Sequence, residues 1–185
     1  DHVEFQRGAI SALIGPNGAG KTTFFNLLTN FDKATSGAWT FNGKKLAGVA
    51  PHKVARLGMI RTFQLTKSLS KLSVIQNMML GATHQRGESF LTAIVPPLWS
   101  AQEKEITERA DLLLERFRLA HMREEFAGSL SGGQRKLLEM ARALMAEPEL
   151  IMLDEPMAGV NPALKQSLLG HILSLRDEGR TVIFV

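Results

Sequence analysis

Apolar positions run along this chain in two rhythms. Short apolar runs that close on a turn residue read as buried strands: Ala9–Gly15 (AISALIG), Leu57–Phe63 (LGMIRTF), Glu149–Pro156 (ELIMLDEP) and the final TVIFV. Helical spacing appears in KTTFFNLLTNF, with Phe24, Leu27, Leu28 and Phe31 as its apolar positions, and in NPALKQSLLGHILSLRDEG, where Asn161 is the predicted cap and Pro162 lies in the first turn. SGAWTFNGKKL alternates and carries Asn42-Gly43, a hairpin turn signal. From about 65 to 147 the pattern is mainly helical. There, SAQEKEITERADLLLERFRL opens with Ser100 and Glu103 at capping-box spacing. Strand–helix–strand units at both ends predict an α/β fold: a parallel-sheet core over about 1–64 and 148–185, antiparallel β elements near the N-terminus, and an inserted helical subdomain over about 65–147. All of it reads as one domain. The apolar patch ESFLTAIVPPLW is broken by Pro96-Pro97 and is too short to span a bilayer. It either packs within the helical region or docks on a partner or membrane surface.

Composition narrows this picture a little. Hydrophobic residues are 44% and charged residues 22% of 185 residues, which excludes a mostly disordered chain. With no cysteine, disulfide frameworks, thiolate metal sites and cysteine nucleophiles are excluded. The net charge of +4 is spread along the chain without a basic cluster, and aromatics are only 6%, so no nucleic-acid face is expected. The chain begins at Asp1 and stops at Val185 within strand-like segments, which points to a piece of a longer chain truncated at both ends.

The chemistry starts at Gly15–Thr22, GPNGAGKT, a full match to G-x-x-x-x-G-K-[ST] between a predicted strand and a predicted helix. Gly15, Gly18 and Gly20, with Pro16, Asn17 and Ala19 between them, let the backbone bend so that successive N–H groups point inward. The helix that starts near Lys21 adds its positive end. Lys21 supplies a cation for the β- and γ-phosphates, and the Thr22 hydroxyl, with Thr23 beside it, faces the Mg²⁺ side. Such a loop needs a second metal anchor at the end of a neighbouring strand. Asp154 fits that role, directly or through water. Glu155, one residue on, is placed to orient and activate a water as general base. The chain therefore reads as a P-loop NTPase that binds a nucleotide with Mg²⁺, and these residues alone say no more, since transporters, helicases, motors and switches share them.

A second glycine loop lies far downstream: Leu130–Arg135, LSGGQR, opening into KLLEMARALMAE. Ser131 is placed to cap this helix, leaving the Gly132 and Gly133 N–H groups, with Gln134 after them, available to an anion. Apolar Leu137, Leu138, Ala141, Leu144 and Met145 anchor the helix along one face. One reading is a head-to-tail dimer that sandwiches ATP between the P-loop of one copy and this loop of the other. The other is a plain helix start with flexible glycines.

GPNGAGKT, LSGGQ and LIMLDEP, in this order and spacing, resemble the nucleotide-binding domain of ABC ATPases over essentially the whole chain. The resemblance implies an ATP-driven engine on the cytoplasmic face of a membrane, peripheral to transmembrane permease subunits and paired with a second, identical or related, ATPase subunit. It implies that Gln64 in RTFQL is the glutamine that senses Mg²⁺ and water, and that Ala158–Pro162 (AGVNP) forms the loop signalling across the dimer. Asn161 stands there where many members have aspartate. APHKVARLGMIRTFQ, the insert around ESFLTAIVPPLWSAQEKE, and EPMAGVNP are most similar to the ATP-binding subunits of branched-chain amino-acid importers, which urea importers closely resemble. The segment 65–99 would then face the membrane partner.

Two departures stand out. The family's switch histidine follows the strand that TVIFV would form, and none of His2, His52, His84, His121 or His171 stands there. Its adenine-stacking aromatic lies well upstream of the P-loop, and Phe5 is too close to match it. The sequence as it stands is thus expected to bind phosphates and Mg²⁺ and to hydrolyse poorly. A non-transport ABC ATPase, or a nucleotide-binding module without turnover, are the competing readings.

Overall fold

In a computed structural model, residues 2–62, 69–83 and 97–185 are described. The chain divides into two compact units, Asp1–Phe63 with Pro148–Val185, and Gln64–Glu147. The second is inserted between two neighbouring parallel strands of the first.

The first unit is built around a four-stranded parallel sheet with strand order β1-β6-β5-β4, formed by β1 (Ile10–Ala12), β4 (Met59–Arg61), β5 (Leu150–Leu153) and β6 (Thr181–Phe184). Ile10 pairs with Val182, Thr181 with Leu150, and Leu150 with Met59. β5 is buried throughout and β6 nearly so, as the continuous apolar runs require of strands covered on both faces. AISALIG departs from its expected burial. β1 takes an outer position in this sheet, so Ala12 is exposed and Ile14 is 91% exposed. Between the glycine loop and β4 come α1 (Lys21–Leu28), the pair β2 (Thr40–Phe41) and β3 (Lys44–Lys45), and α2 (Pro51–Arg56). Asn42 and Gly43 turn that antiparallel pair at φ 49° and 74°, the left-handed conformations a two-residue hairpin demands.

The core on one face of the sheet gathers Phe25, Leu46, Val54, Met59, Leu150, Met152 and Ile183. Alternation along β5 sends Ile151 and Leu153 to the other face. The residue α1 buries is Phe25, whereas Phe31, expected on its apolar stripe, is 55% exposed. The helix stops at Leu28 and Asn30 turns left-handed at φ 59°, so Phe31 falls beyond the helical period.

In the second unit, α3 (Val74–Met79), α4 (Pro97–Arg116) and α5 (Gly132–Leu144) pack on one another around Met78, Ala110, Leu114, Leu138 and Ala141. The chain after α3 passes so close to α5 that a Cβ on Gly81 would meet the Arg142 carbonyl at 2.3 Å. Ser100 is not the cap of its helix. α4 already runs from Pro97, whose fixed φ and missing N–H suit a first helical position, and this puts both Ser100 and Glu103 inside it. Most of ESFLTAIVPPLW lies outside the described residues. Back in the first unit, α6 (Pro162–Asp177) links β5 to β6 and buries Leu168, Ile172 and Leu175; Asn161 caps it by accepting from the Leu164 N–H at 2.9 Å.

Candidate nucleotide site

The loop after β1 is built to leave its backbone open. Gly18 and Gly20 stand at φ 82° and 85°, conformations that side-chain-bearing residues adopt only with strain, and nothing lies within 4 Å of where their Cβ atoms would be. Residues Gly15 to Gly20 are all exposed, Asn17 and Ala19 included. α1 begins at Lys21 with Gly20 at its cap position, and among the described residues no side-chain cap bond is made there. The Phe24 N–H reaches Gly20 O at 2.8 Å, so the Lys21, Thr22 and Thr23 amides precede the first intrahelical bond. The Lys21 ammonium donates to the carbonyls of Gly15 (2.8 Å) and Pro16 (2.9 Å), bending back over the loop. Exposed backbone amides, a helix start and an ammonium thus lie together in one loop, an arrangement suited to polyphosphate.

Two carboxylates follow β5 in the same unit. Asp154 is largely buried, and its Oδ2 accepts from Arg61 Nη2 at 2.5 Å. Glu155 is exposed and held at φ 46°. For a residue other than glycine that conformation stores strain, and strain of this kind concentrates at functional positions. The Ala158 N–H closes the turn onto Glu155 O at 3.1 Å. The Thr22 hydroxyl and the Asp154 carboxylate are hard oxygen donors, the chemistry Mg²⁺ prefers. Among the described residues no group of three or more His, Cys, Asp or Glu forms a metal cluster. An ion between these two donors would therefore draw further ligands from substrate phosphates, as Mg²⁺ commonly does.

LSGGQR belongs to the second unit. Leu130 is buried and fixes the approach. Ser131 Oγ accepts from the Gln134 N–H at 3.3 Å while Gln134 Oε1 accepts from the Ser131 N–H at 2.9 Å, a reciprocal capping box. Gly132 faces open space. Gln64 lies outside the described residues. The sequence reading missed Arg61. Its signal was one guanidinium inside the apolar run LGMIRTF.

A parallel sheet whose first strand runs into a glycine loop and helix start, with a paired-carboxylate turn after β5, defines a P-loop NTPase fold. β5 is not the expected neighbour of β1, because β6 pairs between the two. A sequence model of the family described as ABC transporter matches residues 1–158, and the chain belongs to that family of ATPases. It is 41% identical over 184 residues to the probable branched-chain amino acid transport ATP-binding protein LivG of Archaeoglobus fulgidus, covering 100% of this chain and 71% of that one. It is 37% identical over 186 residues to the high-affinity branched-chain amino acid transport ATP-binding protein LivG of Escherichia coli K12, covering 100% of this chain and 72% of the relative. Its structure is similar to the ADP conformation of an ATP-binding cassette of an ABC transporter, with TM-score 0.83 at 38% identity over 98% of this chain and 71% of that one.

Proposed function

We propose that this chain is the ATP-binding and ATP-hydrolysing subunit that powers import of branched-chain amino acids through a membrane permease. The observation that carries the reading is the likeness, across this whole chain, to branched-chain transport ATP-binding proteins, joined to a loop whose Gly18 and Gly20 stand in left-handed conformations that favour glycine. No helix among the described residues is long and apolar enough to cross a membrane, so the reading assigns passage of solute to separate permease subunits, with this chain bound at the cytoplasmic face.

In this reading the amides from Gly18 to Thr23 and the Lys21 ammonium hold the ATP phosphates. For that, Lys21 leaves the Gly15 and Pro16 carbonyls. Thr22 and Asp154 would hold Mg²⁺, which would supply positive charge against the phosphates. Glu155 accepts a proton from the attacking water, and Gln64 orients that water. A second ATPase subunit, head to tail, offers its Ser131–Gln134 loop to the same ATP. With Ser131 and Gln134 already bonded to each other, the glycine amides at 132 and 133 are the donors this loop presents.

Proteoliposomes carrying the permease, its solute-binding protein and this subunit should accumulate labelled leucine with MgATP inside. Accumulation should vanish with Lys21→Ala. Equal uptake with the variant, or ATP-dependent uptake of urea in place of leucine, would overturn the proposal.

A further inference from the structure

Arg61 stands in β4 with its side chain only 5% exposed, and Asp154, which it pairs with, is 17% exposed. A buried guanidinium is retained only when its donors are engaged on several sides. Here three contacts from two elements hold it. Nη2 donates to Asp154 Oδ2 at 2.5 Å, at the end of β5. Nη1 donates to Asn26 Oδ1 on α1. The guanidinium carbon lies 5.5 Å from the centre of the Phe25 ring, also on α1. Asn26 is itself tied, through Nδ2, to Asp32 Oδ2 at 2.7 Å. The chain of contacts Asp32–Asn26–Arg61–Asp154 thus joins the helix that follows the glycine loop to the carboxylate after β5.

We infer that Arg61 is the positioning residue for Asp154: it fixes the carboxylate through Oδ2, reserves Oδ1 for the cation side, and sets that carboxylate in register with the helix bearing Thr22. The inference rests on the proposed reading of Asp154 as a Mg²⁺ anchor. A flat, forked cation suits the task because its two terminal nitrogens bond Asp154 and Asn26 while its charge lies over the Phe25 ring. Without it the carboxylate would lose both its orientation and its link to α1.

The test is the ratio of ATP dissociation constants in EDTA and in excess Mg²⁺, measured by calorimetry on the native chain and on Arg61→Met. A merely structural loss weakens both constants together and leaves the ratio unmoved. Loss of positioning lowers the ratio. We expect a fall of about tenfold, the scale of one lost charge-assisted hydrogen bond. A ratio in Arg61→Met equal to or above the native one overturns the inference while leaving the Mg²⁺ reading intact. A native ratio of one removes the Mg²⁺ reading itself and the inference with it. If Arg61→Met does not fold, Asn26→Ala decides: a lower ratio supports the inference, and an unchanged ratio overturns it.

Discussion

Two helices of this chain open on glycine-rich loops and are finished in opposite ways. α5 completes its own start: Ser131 and Gln134 bond each other's backbone amides. α1 does not. Its cap position is a left-handed glycine, no side-chain cap bond is made there among the described residues, and its lysine is turned back onto loop carbonyls. A helix start left without a side-chain cap is tolerated when something outside the chain completes it, and an anionic ligand is the natural partner. The strained Glu155 sits in the same unit as the unfinished helix. In the proposed reading, the first glycine loop takes a ligand at its open helix start and the second supplies donors from an already finished scaffold.

The sharpest way to break that contrast is through Glu155. Glu155→Gln should leave ATP binding in place and lower turnover by roughly 10²–10⁴-fold, the usual worth of a general base, measured as phosphate release at saturating MgATP. Turnover within a few-fold of native would remove the base assignment. Next in size is Lys21→Ala, expected to weaken MgATP binding roughly a hundredfold by titration calorimetry while leaving the unliganded melting curve near native. A smaller effect sharpens the other side. Ser131→Ala should cost about 1 kcal/mol of stability without any nucleotide, because it removes a cap the fold itself uses. Chemical denaturation of the free protein reads this directly, and an unchanged midpoint would mean the capping box carries no load in solution.

The smallest effect lies at the start of β5. The Asn42 amide, and then the Arg7 guanidinium, hold the Glu149 carboxyl below its ordinary value. A depressed carboxylate contributes stability that is present above its unfolded-state value and lost as pH falls through its folded-state value. The group is well exposed, so its share is of the order of an exposed pair, ~0.5 kcal/mol or less. Acid titration of stability should lose this increment in the native chain and show no such loss in Asn42→Ala with Arg7→Ala.

What was legible in the sequence follows from which interactions are local. The hairpin announced itself because Asn42-Gly43 must turn left-handed. The caps at Asn161 and Ser131 showed because capping spans three residues, and β5 showed because its short apolar run, bounded by Pro148 and by Asp154-Glu155-Pro156, suits a strand buried on both faces. The parallel sheet with its antiparallel pair followed from those elements. The failures depend on distant neighbours. AISALIG reads as buried, yet its exposure is set by its outer place in the sheet. Which phenylalanine α1 buries depends on where Asn30 ends the helix. Ser100 carried a cap signal that Pro97 pre-empted. In the candidate site, the Gly15–Thr22 loop and Asp154-Glu155 were readable as contiguous motifs. The partnership of Arg61 with Asp154 joins residues far apart in sequence, and the left-handed backbone at Glu155 has no local sign in the residue itself.

The most direct test of the ligand-dependent helix start is amide hydrogen exchange at Gly18–Thr23 in dilute protein, with and without MgATP. The amides at Ser131–Gln134 serve as the internal comparison. MgATP should slow exchange at Gly18 and at Gly20–Thr23 by at least about tenfold, as expected when open donors gain a bound acceptor, while Ser131–Gln134 exchange as before in the monomer. Equal exchange at Gly18 and at Gly20–Thr23 in both conditions would contradict the ligand-dependent helix start.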